Sequence, residues 1–275
     1  MKKLILIIFI FISSHCSFDK KSGIWKNSNT VDLEKTDRFK DFETLYTKEK
    51  SFNKIVVPNK NLNLLLDPIK NNKQWSDEFY QESNNFENFD YKNLNELIFR
   101  SKKISSHKVK DKILFDGENV IVTDNRGNIV VYSVDKKKII FKYNFYKKKF
   151  KKIKKDLNVV IEKNIIYTSD NLGYLYALNY KNKKLLWAKN FKIPFRSNIK
   201  ISGKKIITAD QNNTLHILDK FNGIQLKFIP TEETTIKSDF VNSLALYRES
   251  LIYLNTFGSL HSINSQNSKI NWFAN

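Results

Sequence analysis

Residues 165–191 read IIYTSDNLGYLYALNYKNKKLLWAKNF. Three short runs rich in β-branched and aromatic side chains, 165–168, 174–178 and 185–187, are separated by Ser-Asp-Asn-Leu-Gly and by Tyr-Lys-Asn-Lys-Lys. Such runs, broken by turn-forming residues, predict three antiparallel strands in one meander.

The same pattern occurs four times. Ungapped alignment puts Asp124, Asp170, Asp210 and Asn255 at one position and Gly127, Gly173, Asn213 and Gly258 three residues later. A tight turn there needs positive φ, which Gly and Asn supply most readily. The acidic residues precede the turn, where a carboxylate or amide can cap the backbone N–H groups that follow. Farther along, Phe141, Trp187, Lys227 and Trp272 align, and the repeats are spaced by 46, 40 and 45 residues. A further apolar run precedes each meander, at 112–115, 157–161, 198–201 and 243–247. Four strands per repeat of about 40–45 residues predict an all-β fold, a β-propeller built of four-stranded antiparallel blades. The repeats occupy 111–150, 156–192, 196–230 and 240–275.

The run Asp-Asn-x-Gly-x-Leu-Tyr-Ala-Leu-Asn followed by Lys-Leu-Leu-Trp, at 170–187, resembles the quinoprotein-type (PQQ-like) propeller repeat. Trp187 matches the docking tryptophan of that family, and Trp272 regains it in the fourth repeat. The first repeat has Phe141 in its place and the third has Lys227. Rings of this type generally use seven or eight blades, so the resemblance implies an open arc of an eight-bladed ring and a chain incomplete at its carboxy terminus.

The chain has 275 residues, is 41% hydrophobic and 13% aromatic, and carries a net charge of +20. That is ample apolar material for a core. The lysines are spread through every turn, alongside many Asn and Ile, as an AT-rich codon bias produces; the charge therefore does not by itself specify nucleic acid, and no nucleic-acid partner is expected. One concentration stands apart, KKKFKKIKK at 147–155 between the first and second repeats, either a solvated loop or a surface for acidic head groups or an acidic partner. Only seven glycines serve the many turns, with Asn, Lys and Asp in their place.

Met1-Lys2-Lys3 and the apolar residues 4–12 form a charged region and a short hydrophobic region, too brief for a membrane span and typical of an export signal. The single cysteine, Cys16, stands where a lipoprotein signal carries its lipidated residue, although His15 occupies a place that usually holds a small one. The alternatives are ordinary cleavage or an uncleaved anchor. The expected organisation is a signal over 1–16, a polar tether with a possible short helix over 17–60, and an irregular lead-in over 61–110. That lead-in holds Trp75 as an anchor and, at 94–104, the outer strand of a partial blade.

No Ser-His-Asp order, metal-ligand spacing or Gly-rich phosphate loop is visible. His216 and His261 share a register in consecutive repeats, but without a third ligand they read as strand residues sooner than as a metal site. The sequence predicts no catalytic residue, no metal and no cofactor. An exported, lipidated propeller of this repeat type resembles the BamB family of outer-membrane β-barrel assembly lipoproteins. The resemblance implies a non-enzymatic scaffold, anchored through Cys16 on the periplasmic face of a Gram-negative outer membrane, which binds a BamA-like barrel-inserting protein and other assembly subunits. Ser17, where such lipoproteins carry Asp when retained in the inner membrane, fits that destination. The alternatives are a fragment of a quinone-dependent dehydrogenase and a ligand-sensing periplasmic propeller.

Overall fold

A computed structural model describes the backbone of Cys16–Phe18 and Trp25–Asn27, residues 57, 60, 62, 63, 66 and 68–71, and residues 74–91, 96, 97, 99–232 and 240–275. The chain divides into two compact units, Met1–Leu64 and Leu65–Asn275. In the first, β1 (Cys16–Phe18) pairs antiparallel with β2 (Trp25–Asn27), with Cys16 opposite Asn27 and Phe18 opposite Trp25. Two strands thus stand in the segment read as a tether; at three residues each they are too short for periodicity to reveal. The signal residues 1–15 and residues 28–56 of the tether, with the short helix expected there, lie outside the described residues.

The second unit holds four sheets of four strands. The first comprises β3 (Leu114–Phe115), β4 (Asn119–Thr123), β5 (Asn128–Ser133) and β6 (Lys138–Asn144). The second comprises β7 (Leu157–Glu162), β8 (Ile165–Asp170), β9 (Tyr174–Asn179) and β10 (Lys184–Asn190). The third runs through β11 (Lys200–Ser202), β12 (Lys205–Ala209), β13 (Thr214–Asp219) and β14 (Gln225–Pro230). The fourth holds β15 (Ser243–Tyr247), β16 (Ser250–Leu254), β17 (Leu260–Asn264) and β18 (Ile270–Ala274). Each sheet is a meander whose neighbours in sequence are neighbours in space. These are the blades of a β-propeller.

Apolar cores lie between successive sheets. In β7, Val159 and Ile161 join the core shared with the first sheet, whereas Val160 joins the core shared with the third. In β9, Tyr176 and Leu178 face one way, Leu175 and Ala177 the other. Alternate residues of a strand point to opposite faces, so a central strand covered on both sides must be apolar throughout, which is why YLYAL shows no polar alternation. A third core, with Ile207, Leu215, Leu246 and Tyr253, joins the third sheet to the fourth.

Left-handed backbone recurs with a ten-residue beat. Positive φ occurs at Gly117, Gly127 and Lys137, at Lys163, Gly173 and Lys183, at Gly203, Asn213 and Gly223, and at Arg248, Gly258 and Ser268. These are the three hairpin turns of each sheet. Glycine fills only half of them, and Lys, Arg, Ser or Asn accept the strain elsewhere.

All four outer hairpins also bulge. Ile140, Leu186, Leu226 and Asn271 are extra residues in β6, β10, β14 and β18, each immediately before the aligned position 141, 187, 227 or 272. A bulge re-aims the next side chain and sharpens the local twist.

The lead-in departs from expectation. Described residues within 94–104 form no strand. Phe99 instead lies over Tyr132, with ring centroids 6.0 Å apart, and Val109 bridges to Asp124. The segment lies on the face of the first sheet instead of extending its edge, because an apolar face left without a neighbouring blade must be covered.

Candidate functional site

The inner strands β3, β7, β11 and β15 converge on residues 75–84, which close the middle of the array. Trp75 exchanges both backbone hydrogen bonds with Phe115 of β3, at 2.7 and 2.9 Å. The N–H of Ile161 in β7 donates to Ser76 O at 2.8 Å, and that of Leu246 in β15 donates to Glu82 O at 2.8 Å. In β11 the contact is a side chain: Lys200 Nζ donates to Asp77 Oδ2 at 2.7 Å, to Gln81 O at 3.2 Å and to Asn84 Oδ1 at 2.5 Å. Asn84 Nδ2 in turn donates to Leu244 O at 2.8 Å. Sheet edges are rows of unpaired donors and acceptors; this segment satisfies edge groups of the first, second and fourth sheets and holds a side chain of the third.

The charges here are deeply placed. Lys200 is 0% exposed. Burial pushes Asp77 above the ordinary carboxylate range and Lys200 below the ordinary amine range, and their attraction opposes both shifts without cancelling them. Next to them Glu78 accepts from Lys112 Nζ at 2.8 Å and from the N–H of Val159 at 3.1 Å. The aromatics Trp75, Tyr80 and Phe86 pack on one another in the same segment, with ring centroids 5.3–5.4 Å apart. Sequence reasoning picked out Trp75 as an anchor but missed Asp77, Glu78 and Lys200, whose partners lie far along the chain.

The aligned acidic positions are turn caps. Oδ1 of Asp124 accepts from the N–H groups of Arg126 and Asn128, that of Asp170 from Leu172 and Tyr174, that of Asp210 from Asn212 and Thr214, and that of Asn255 from Phe257 and Ser259, all at 2.8–3.0 Å. Gly127, Gly173, Asn213 and Gly258 donate to the cap's own carbonyl. The side chains are divided among separate turns and make no acidic ring around a ligand. Burial raises the pKa of Asp124, but hydrogen bonds from Ser105, Asn128 and two backbone N–H groups outweigh it and leave the group below its ordinary value. Asp170 goes the other way: burial wins over the hydrogen bond from Tyr146 and holds it above that value.

The docking position behaves differently in each sheet. Phe141 is buried in the core between the first two sheets. Trp187 crosses to the third sheet, where its Nε1–H donates to Lys220 O at 2.9 Å. Lys227 makes the equivalent crossing as a charged group, donating from Nζ to Ser268 O of the fourth sheet at 2.6 Å. Trp272 has no such socket and is 48% exposed, against 8% for Trp187. It shares the fourth sheet's outer strand with the exposed Ile270 and Phe273.

His216 and His261 are both buried, but they do not form a pair. His216 Nε2 bonds Asp210 Oδ2 at 2.8 Å. The imidazole of His261 lies between Tyr253 and Phe273, and burial lowers its pKa. Among the described residues no group of three or more His, Cys, Asp or Glu converges as metal ligands would, and no helix is long and apolar enough to cross a membrane.

No family model matches the sequence, and no curated protein matches it. Solved structures do match by fold. BamB from Moraxella catarrhalis is similar at 17% identity and a TM-score of 0.49, over 62% of this chain and 51% of that one. The computationally designed Ika4 protein is similar at 9% identity and a TM-score of 0.50, over 62% of this chain and 99% of that one. The chain thus spans about half the length of the Moraxella protein, and identities this low speak for the fold alone.

Proposed function

We propose that the chain is a non-catalytic scaffold of outer-membrane protein assembly, tethered by a lipid on Cys16 to the periplasmic face of the outer membrane and binding a BamA-like barrel-inserting subunit. The observation that carries this reading is what the fold leaves open. Residues 75–84 occupy the centre, whereas the outer strands β6, β10, β14 and β18 are edges with solvent-facing side chains, including Leu226, Phe228, Ile270 and Phe273. Exposed strand edges bearing apolar side chains suit main-chain pairing with an extended segment of a partner. The quinoprotein-type repeat and the place of Cys16 support the same reading.

The test is affinity capture of the full chain from detergent-solubilised Gram-negative envelopes. The reading expects the barrel-inserting subunit to be retained, and retention to fall when Phe228→Asp and Phe273→Asp are combined. Capture without that subunit, together with quinone-dependent alcohol oxidation by the purified chain, would replace the scaffold with an enzyme. A Cys16→Ser variant is expected to lose incorporated palmitate and leave the membrane fraction.

A further inference from the structure

Between the first and second sheets the chain passes through a single 3-10 turn, Lys148–Phe150, within the lysine-rich run. The run does not simply fan out into solvent. Lys148, Lys151, Lys152 and Lys155 line a cavity of about 670 Å³ together with Arg126, and no Asp or Glu is in its wall. Asn144 and Tyr146 contribute neutral polar groups to the same wall.

Two of the cations are fixed in place. Arg126 follows the capped turn at Asp124, and its Nη1 donates to Lys151 O at 2.9 Å, so the guanidinium also holds the lysine-bearing loop. Lys155 is 3% exposed; its Nζ donates to Phe150 O and lies 5.0 Å from the centre of the Tyr146 ring. Tyr146 can lie there because Gly127 beneath it has no Cβ.

The carboxylates behind the cavity are already engaged. Asp124 accepts from Ser105, Asn128 and two backbone N–H groups, and Asp170 from Tyr146 and two more. Among the described residues neither forms an ion pair with Arg126 or the four lysines. Burial lowers the pKa of Lys155 and repulsion from Arg126 lowers it further, against a weaker attraction from Asp170 and Asp124. The positive charge is therefore concentrated, partly buried and only partly compensated, a condition that a bound anion relieves.

We propose that this cavity binds an anionic phosphate group, borne by a soluble ligand or by an anionic lipid head group. A guanidinium offers a planar fork to phosphate oxygens and ammonium groups act as point charges around it. The volume leaves room for the moiety that carries the phosphate. The site stands independently of the scaffold reading, because the cations that form it lie on the turn and linker of the first two sheets.

The experiment uses the full chain, titrated calorimetrically with inorganic pyrophosphate at low salt and sedimented with phosphatidylglycerol or phosphatidylcholine vesicles. Saturable binding to pyrophosphate assigns a soluble phosphate ligand, and binding to phosphatidylglycerol vesicles alone assigns a lipid head group. In either case the Arg126→Gln/Lys151→Gln variant should bind at least tenfold more weakly, and binding should fall as salt rises. Lys148→Gln/Lys152→Gln, which changes only exposed lysines, provides a second variant should the loop depend on Arg126. A Lys181→Gln/Lys184→Gln control, on a distant turn, should bind as the parent does. No saturable binding to either probe, or equal weakening by the control, would overturn the site.

Discussion

The indole of Trp187 reaches from one sheet to the next, hydrogen-bonded to Lys220 O at 2.9 Å, and its ring lies over Gly223, where an added Cβ would come within 2.5 Å of it. Trp187→Ala is expected to cost about 3–5 kcal/mol in denaturant unfolding. Trp272→Ala, at the same register without a socket, should cost under about 1 kcal/mol. Gly223→Ala meets both the ring and a φ of +68° and should cost about 2 kcal/mol. Equal losses at the two tryptophans would refute the docking account.

The bulge gives a sharper version of that comparison. Deleting Leu186 restores a regular ladder in which Trp187 still pairs with Ala177, but it removes the local twist that aims the indole at the third sheet. The deletion should therefore cost part of the Trp187→Ala loss, while deletion of Asn271, next to a tryptophan without a socket, should be far milder. Thermal unfolding of the two deletions side by side decides it.

Acid should expose the difference between two caps in one register. Asp124 titrates below the unfolded value of 3.8, so it binds fewer protons when folded. Its contribution is in place above that value and disappears as pH falls through the folded pKa. Asp170 titrates above 3.8, binds its proton more tightly when folded, and loses its contribution as pH rises through the raised pKa. Asp124→Asn should therefore lose about 1 kcal/mol at pH 7, a gap that closes in strong acid. Asp170→Asn should remove a fall in stability on going from about pH 4 towards neutrality. Unfolding midpoints across pH 2.5–7 provide the check, and parallel curves for the two variants would contradict it.

Turn strain offers a gain instead of a loss. Lys163 and Lys183 have φ of +56° and +55°, at positions where other repeats use Gly203 and Gly223. Lys163→Gly and Lys183→Gly should each stabilise by roughly 0.5–1 kcal/mol, since glycine removes the left-handed penalty at some cost in unfolded-state entropy. Lower midpoints in urea would show that the lysine side chains provide more than the strain they impose.

The buried pair at the centre should behave asymmetrically. Asp77→Asn strands the ammonium of Lys200 and is expected to cost about 3–5 kcal/mol, whereas Asp77→Leu combined with Lys200→Met should recover much of the loss. If the double variant is no better than the single, the hydrogen bonds to Gln81 and Asn84 outweigh the charge pairing.

Much of this was legible in the sequence because local periodicity encodes strand, turn and repeat. The strand 243–247 was readable to the residue from its apolar run, and the caps at Asp124, Asp170 and Asp210 from their distance to Gly127, Gly173 and Asn213. The bulge was hidden because one extra residue leaves the repeat spacing unchanged when all four copies carry it. Lys227 read as a lost tryptophan, although an ammonium can also reach a carbonyl of the next sheet. The central segment has no periodic pattern, and Asp77 meets Lys200 only 123 residues later. The basic run was visible, but its union with Arg126 around one cavity depends on the turn geometry at Asp124.

The closing of the centre also sets an order of events. Glu82 receives the N–H of Leu246, so a piece made early in translation has no complete place to settle until the fourth sheet has emerged. Contacts so distant in sequence slow the final step of folding. The last bond of the array is thus made by one of its first residues, and a nascent chain must keep that strip available while the blades assemble around it.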